Sequence, residues 1–263
     1  MTSDLNDKAG VVVDVELTTG EVNEGTKLIE AIDRLETITG KPVERVTADA
    51  SYAHPKNYEA MEERGVDAVI PPMRENTTSR NIPIRRFSYD GKHKTVRCPA
   101  GKYMKCTRRE KKGWIYRART RDCKACDLRK NCLPPTAKVR VICIVDGYEA
   151  LLRARRRKIE WAKETMHWYS RHRWRVEGVH GEAKTQHGLR RAVRRGLMNV
   201  AIQVYLTAAV MNLKRLAAAL LSYFWLIISL LFYFKEDFKK RGGVTKGFLG
   251  YDREESFSTV IAV

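Results

Sequence analysis

One carboxylate, two cations and a histidine have the types and spacing that phosphodiester chemistry uses. Glu177 lies in the stretch RWRVEGVHGEAKTQHG, where Arg173, His180 and Lys184 accompany it at spacings of four, three and four. Such spacings place all four side chains on one helical face. Intrahelical ion pairs would explain the same pattern. The alternative is a carboxylate that holds Mg²⁺, a hard cation, beside cations that bind phosphate.

A second carboxylate, Asp49, follows a predicted strand in the segment TADASY. The carboxyl ends of strands in α/β sheets are where ligands gather, although an Asp in this place is more often a turn residue or a helix cap. In phosphodiester transfer, two metal ions about 3.5–4 Å apart stabilise the attacking and leaving oxygens. Asp49 and Glu177 could hold such ions, Mg²⁺ or Mn²⁺, only if folding brings the two carboxylates together, and the position of Asp49 alone is a weak indication.

A run of cations follows Glu177 in the segment HGLRRAVRRGL. Basic side chains in such a run can bind phosphates of the DNA backbone. The candidate DNA-binding residues are Arg173, Lys184, His187, Arg190, Arg191, Arg194 and Arg195.

Five cysteines are clustered within 35 positions, and a sixth, Cys143, lies in the apolar run VRVICIV. The N-terminus has no apolar signal-peptide core, so we expect a cytoplasmic protein with reduced thiols. A Cys-x2-Cys pair with further thiols can form a tetrahedral zinc site, and plain apolar packing is the equal alternative. The candidate zinc ligands are Cys98, Cys106, Cys123, Cys126 and Cys132.

The composition favours a globular, nucleic-acid-binding protein. The 263 residues are 43% hydrophobic, which allows a real core, and the formal net charge of +19 attracts polyanions. The charge is clustered, because residues 92–130 contain fifteen Lys or Arg against three acidic residues. A basic solvated surface is the alternative.

The elements that must position these residues begin with a β-α-β-α-β alternation, which predicts an α/β sheet. We predict strands at 11–18, 43–49 and 66–70, and helices at 23–38 and 57–64. Residues 81–148 are predicted to be a Cys-rich, basic, β-rich insertion. A long helix through Lys184 and another at 197–220 follow.

The uncharged stretch 216–234 is about 28 Å long as a helix, nearly a bilayer core. Two interpretations remain open: an apolar helix packed on the core, which we favour, and a membrane span. The last residues, 242–263, are predicted to form a loose tail.

Several segments together resemble the DDE transposases of bacterial insertion sequences. Arg173, Glu177 and Lys184 fit the R-(3)-E-(6)-K part of that family's Y-R-E-K signature. The segment VTADASYAHPKNYEAMEERGVDAVIP resembles its second-aspartate block, and HGLRRAVRRGLMNVAIQVYLTAAVMNLKRL resembles its C-terminal block. Ser170 stands where the signature has tyrosine, with Tyr169 one position early.

The resemblance implies a ribonuclease H-like mixed sheet with flanking helices and a catalytic Asp, Asp, Glu triad. It places Asp49 and Glu177 in that triad and Arg173 and Lys184 at the transposon-end DNA. It also implies that the first strand, with the first aspartate, is missing from an N-terminally truncated chain. Asp4 and Asp7, interpreted as turn residues, and Asp14, within a strand, are weak substitutes.

The predicted organisation has four parts. Residues 1–80 begin the catalytic core, 81–148 are the insertion, 149–222 are the helical second part of the core, and 223–263 are the apolar helix end and tail. The leading function is metal-dependent transposition as a homodimer on double-stranded DNA. The alternatives are a catalytically dead relic that occupies transposon ends and, as a third hypothesis, a membrane-anchored basic protein.

Overall fold

The computed structural model of the chain describes residues 2–6, 10–73, 81–241 and 259–262. The fold is mixed α/β, which confirms the predicted class at that level. The strands are β1 (Thr2–Asn6), β2 (Val12–Glu16), β3 (Arg45–Thr47), β4 (Asp67–Val69), β5 (Ser88–Asp90), β6 (Thr95–Arg97), β7 (Tyr103–Glu110), β8 (Gly113–Arg117), β9 (Val141–Val145) and β10 (Thr259–Ala262). The helices are α1 (Leu28–Thr39), α2 (Pro55–Arg64), α3 (Thr120–Lys124), α4 (Arg129–Cys132), α5 (Tyr148–Ile159), α6 (Lys163–Gln186) and α7 (Leu197–Arg241).

The chain divides into two compact units. The first contains residues up to 24, 30–48 and 166 onward, and the second contains 25–29 and 49–165. The first unit is therefore assembled from sequence segments that lie on both sides of the second. Asp49 belongs to the second unit and Glu177 to the first.

The first unit contains a three-stranded antiparallel sheet in the order β10-β1-β2. Buried side chains of β2 pack with those of α6 and α7 in one apolar cluster. Asn212 of α7 extends this contact, because its side chain accepts from the Val12 N–H at 2.9 Å and donates to the Val12 carbonyl at 2.7 Å. The buried cluster consists of Val12, Val15, Val176, Val179, Ala183, Val204, Ala208 and Met211.

The structure corrects two predictions at the chain ends. Asp4, interpreted as a turn residue, lies within β1, opposite Asp14 of β2, whereas Asp7 lies outside the described residues. Within the predicted tail, Thr259–Ala262 forms β10, which pairs antiparallel with β1 and also contacts β3. Both strands are short, and their sequences contain too few alternating apolar residues to be recognised without their pairing partners.

The second unit contains a five-stranded antiparallel sheet in the order β5-β6-β7-β8-β9, and α3 and α4 lie in the connection between its last two strands. These strands all fall within residues 81–148. Helices α2 and α5 pack together, and Arg153 binds the Glu62 carboxylate through two nitrogens. Gly147 precedes α5 at φ +74°, and a Cβ there would lie 2.6 Å from the Pro55 carbonyl oxygen. The close approach of the two helix starts therefore requires glycine.

Helix α7 continues without a break to Arg241, well past the predicted end at 220. The segment Leu197–Phe234 is long and apolar enough to cross a membrane by length and composition. Apart from half-buried Ile228, its large apolar side chains from Leu216 to Phe234 are exposed, so the prediction that 216–234 packs on the core is wrong. The helix is continuous because it contains no proline or glycine to interrupt it.

Candidate functional site

Helix α6 presents Glu177 and its neighbouring cations to solvent. Its opposite face is buried, through side chains spaced four, three and four residues apart: His172, Val176, Val179 and Ala183. The last three belong to the apolar cluster of the first unit. This 3.6-residue periodicity fixes the rotation of the helix. Arg173, Glu177 and Lys184 are consequently exposed, as the sequence spacing predicts for one shared face.

Among the residues that the structure describes, the Glu177 carboxylate has one ion pair, with Arg173. The Arg173 Nε donates to Glu177 Oε1 at 2.9 Å, and both side chains are more than 60% exposed. Such an i,i+4 pair on a solvated helix contributes only about 0.2–0.5 kcal/mol. The other carboxylate oxygen has no hydrogen bond from the described residues. A metal ion could therefore bind Glu177 at little cost in lost contacts.

A cavity of about 210 Å³ lies next to this face, between α6, α7 and their connection. His180, Lys184 and Arg191 contribute to its lining. Burial lowers the pKa of His180, and the nearby Lys184 charge lowers it further. The imidazole is thus held neutral beside two permanent cations, an arrangement that suits an anionic group such as phosphate.

The segment that connects α6 to α7, residues 187–196, carries four exposed arginines. A side chain of α7 holds its backbone by hydrogen bonds. Gln203 accepts from the Val193 N–H at 3.0 Å and donates to the carbonyls of Gly188 and Arg191 at 3.3 and 3.2 Å. No acidic side chain within residues 10–73 and 81–234 is paired with these arginines. The four arginines of the connection are Arg190, Arg191, Arg194 and Arg195.

His187 occupies a different environment from the arginines that follow it. Its Nε2 lies 3.6 Å from Glu182 Oε1, and its side chain is largely buried. Glu182 also accepts from Lys214 Nζ at 2.7 Å and from Arg215 at 3.2 Å. The Lys214 hydrogen bond, with the Arg215 charge, lowers the pKa of Glu182.

Sequence reasoning missed Glu182, the residue through which α6 is ion-paired to α7. Its cationic partners lie more than thirty positions away in sequence, at 214 and 215. Local spacing cannot show such a pair. The one available signal was an acidic residue within a strongly basic region.

Asp49 follows β3 and caps the short 3-10 turn Ala50–Tyr52. Its Oδ1 accepts from the Ser51 N–H at 2.7 Å and from the Ser51 hydroxyl at 2.5 Å. The cap is the alternative that the sequence left open, and it does not exclude a metal, because Oδ2 has no hydrogen bond from the described residues. Convergence of Asp49 and Glu177 on one metal pair stays a prediction.

Among the three candidate substitutes for the first catalytic aspartate, Asp14 is the one whose side chain is described. Its carboxylate is already ion-paired. Arg34 of α1 donates to Asp14 at 2.9 Å and to Glu16 at 2.8 Å. Burial alone would lower the pKa of Arg34, but the carboxylates of Asp14 and Glu16 raise it above its ordinary value. The pair joins α1 to β2, which is a sufficient structural reason for Asp14.

Four of the five candidate zinc ligands line one small cavity in the second unit. Cys98, Cys123, Cys126 and Cys132 contribute to a space of about 30 Å³, whereas exposed Cys106 lies on β7 and Cys143 on β9. Burial raises the pKa of Cys132, Arg140 lowers it, and the three other thiols of the cavity raise it. Within residues 10–73 and 81–234, no three His, Cys, Asp or Glu side chains already stand in chelating geometry.

A family model described as transposase DDE domain matches residues 97–217, which include Glu177, Lys184 and the four arginines of the connection. Asp49 lies outside the matched segment. No curated protein and no solved structure matches the chain significantly.

Proposed function

We propose that this chain, which matches a family model described as transposase DDE domain over residues 97–217, cleaves and joins the DNA ends of an insertion sequence. The observation that supports this proposal most directly is the exposed face of α6. There a carboxylate with one weak ion pair, Glu177, shares the helix with Lys184 next to the arginine-rich connection.

Asp49 and Glu177 are the residues that would hold the divalent metal. Both are exposed carboxylates, and each keeps one oxygen without a hydrogen bond from the described residues, which fits a hard cation such as Mg²⁺ or Mn²⁺. When bound, such ions supply Lewis-acid stabilisation to the attacking and leaving oxygens. The ribonuclease H-like arrangement that would bring the two residues together is part of this proposal.

The cations orient the DNA. Lys184 and Arg173 contact backbone phosphates near the scissile bond, and the four arginines from 190 to 195 contact phosphates further along the duplex. His180, neutral and half-buried, is a hydrogen-bonding partner rather than a charge in this scheme. The substrate is double-stranded transposon-end DNA, and the chain acts as a homodimer in the cytoplasm.

A second candidate function is DNA binding without cleavage. The strand that contacts both β1 and β3 is β10, whose residues Thr259–Ala262 include no carboxylate. In the resembling family, the first catalytic aspartate lies on the first strand of the catalytic sheet. Here Asp4 of β1 and Asp14 of β2 are weak substitutes, and Asp14 is already paired with Arg34. The chain then contributes two ligands of three and occupies transposon ends as a catalytically dead relic.

Cleavage of DNA that carries the ends of the encoding element tests the choice between these functions. An active transposase cleaves with Mg²⁺ or Mn²⁺, and Asp49→Asn and Glu177→Gln each lower the rate at least about a hundredfold, because one metal ligand is lost. Glu164→Gln, an exposed change on the same helix, is the matched control. Binding without cleavage by the unaltered chain supports the relic and contradicts the enzyme.

A second experiment tests whether Asp49 and Glu177 share a metal, without depending on activity. Fe²⁺ substituted for Mg²⁺, with ascorbate and peroxide, cuts the polypeptide near its bound position. We expect cuts near residues 49 and 177, both lost in Glu177→Gln and both retained in Glu164→Gln. Cuts near only one of the two positions would contradict a shared site.

A further inference from the structure

Four thiols from separate turns of the second unit face one small cavity. Cys98 follows β6, Cys123 lies in α3, Cys126 lies between the short helices, and Cys132 ends α4. We propose that these four thiols bind a single structural Zn²⁺, and that Cys106 and Cys143 are not ligands. The inference is independent of the catalytic proposal, because none of the four lies in the first unit.

The turn that carries Cys98 is shaped to hold a thiolate. Cys98 accepts from the Gly101 N–H and donates to the Lys102 carbonyl, both at 2.8 Å, and the Lys102 N–H donates to Cys98 Sγ at 3.3 Å. Gly101 makes the turn at φ +76°, a conformation that favours glycine. A backbone N–H directed at sulfur stabilises the anionic form that a metal binds.

The segment with the other three thiols is held by short backbone turns, by a hydrogen bond from the Ile82 N–H to the Asn131 carbonyl at 2.7 Å, and by side-chain contacts. Helices α3 and α4 contain five and four residues, too few to be stable alone. Arg129 donates to the carbonyls of Cys123 and Ala137 at 3.3 and 3.1 Å, and Arg140 donates to that of Cys132 at 2.9 Å. The two arginines position the backbone and leave the sulfur atoms available.

The charge and lining of the cavity also fit a thiolate-bound ion. Four thiolates and Zn²⁺ together carry a net charge of about −2. The cationic residues Lys102, Arg129 and Arg140 line the same cavity, together with one acidic residue, Asp122. Most of the remaining lining is apolar, including Ile82, Leu128 and Leu133. An apolar wall limits water access to a buried ion.

The chemistry of the ligand set favours zinc in a structural role. Thiolates are soft ligands that select zinc over magnesium or calcium, and four protein ligands leave no open coordination position for catalysis. The thiols are not yet in chelating geometry among the described residues. The site therefore closes by rotation of the Cys side chains about their single Cα–Cβ bond.

Elemental analysis of the full chain, purified without chelator from zinc-containing medium, tests the proposal. We expect one zinc ion per chain in the unaltered protein and in Cys106→Ser, and loss of at least nine-tenths of it in Cys126→Ser. Cys106→Ser is the matched control, since Cys106 belongs to the same sequence cluster but not to the cavity. Zinc-free unaltered protein, or equal loss in Cys106→Ser, would overturn the assignment.

A second measurement keeps the test valid if Cys126→Ser does not fold. The unaltered chain, stripped with chelator and reloaded with Co²⁺, should show the visible absorption of tetrahedral cobalt and the near-ultraviolet band of thiolate-to-cobalt charge transfer. Cys106→Ser should give the same spectrum. Octahedral cobalt bands without charge transfer would overturn the proposal, as would an iron–sulfur spectrum in the protein as purified.

Discussion

Two carboxylates on α6, five positions apart, have opposite environments. Glu177 is exposed and has one weak ion pair, with Arg173. Glu182 is largely buried and contacts Lys214 and Arg215. A carboxylate that is already surrounded by cations holds the helices together and is a poor metal ligand. The difference assigns the structural role to Glu182 and leaves Glu177 available for chemistry.

Replacement of Glu182 tests this division. Glu182→Gln should lower the free energy of unfolding at neutral pH by about 1 kcal/mol, the upper range for partly solvated pairs. For a chain of this size the unfolding temperature should fall by about 2–4 °C. Thermal unfolding followed by circular dichroism measures the change, with Glu164→Gln as the matched control on the same helix.

The sign of the pH dependence follows from the lowered pKa of Glu182. Its stabilisation is present above the ordinary value of 4.5 and is lost as the pH falls through the lower pKa of the folded state. The difference between the unaltered chain and Glu182→Gln should therefore persist at pH 7 and shrink as the pH falls below 4.5. A difference that grows on acidification would contradict the assignment.

At the scale of the element, the connection between α6 and α7 is an arginine-rich segment with a defined backbone. Three hydrogen bonds from Gln203 fix its carbonyl and amide groups, and Asn199 donates to the Arg195 carbonyl at 2.8 Å. Rigid presentation reduces the entropy lost when such a segment binds DNA. The hydrogen bonds from Gln203 and Asn199, which we call the brace, and the arginine charges should therefore contribute to DNA affinity in distinguishable ways.

Replacement of Gln203 separates the brace from the charges. Gln203→Ala should weaken DNA binding about fivefold, which corresponds to about 1 kcal/mol, and leave the salt dependence unchanged. Arg190→Ala should instead lower the slope of log K against log salt by about 0.9, because one phosphate contact is lost. Fluorescence anisotropy at several salt concentrations measures both effects.

Gln186→Ala is the control for these variants, because Gln186 accepts from Lys214 and makes no contact with the connection among the described hydrogen bonds. It should bind DNA like the unaltered chain. An unchanged affinity in Gln203→Ala would show that the brace does not contribute to binding.

The sequence predicted the helices that carry the site better than the strands around it. The spacing of Arg173, Glu177 and Lys184 predicted that they share one face of α6, since that information is local. Strands β1 and β10 pair residues about 250 positions apart, and Glu182 finds its partners on another helix. Contacts of that kind depend on the whole fold, so no local window could predict them.

The same limit explains which of the cysteines could be predicted from the sequence as zinc ligands and which could not. The spacing of Cys123 and Cys126 indicated a metal site, but only the fold separates Cys106 from the other four. Cys106 lies on β7 opposite Tyr116 of β8, where the sheet fixes its position. Cys98 reaches the cavity because β6 ends beside it.

At the scale of the whole molecule, the exposed apolar part of α7 dominates solution behaviour. Side chains from Leu216 to Phe234 expose a contiguous apolar surface over about five helical turns. Soluble monomers rarely expose a surface of that kind, which instead promotes association or contact with a membrane. This surface should set the oligomeric state before DNA is added.

A triple replacement on one face of α7 tests that expectation. Leu220→Gln, Phe224→Gln and Leu231→Gln together should change a detergent-dependent or associated chain into one that is monodisperse without detergent. Ser222→Gln and Ser229→Gln, which leave the apolar area in place, are the control. Light scattering measures the change, and an unaltered chain that is already monomeric without detergent would contradict the expectation.

The division of the chain into units has a consequence for biosynthesis. The second unit includes the continuous segment 49–165, which leaves the ribosome before α6 and α7 exist. Asn212 of α7, which hydrogen-bonds to Val12, is synthesised 200 residues after it. The apolar side chains of nascent β2 therefore lack their partners on α6 and α7 while the five-stranded sheet forms downstream. We expect chaperones to bind this early apolar segment during translation.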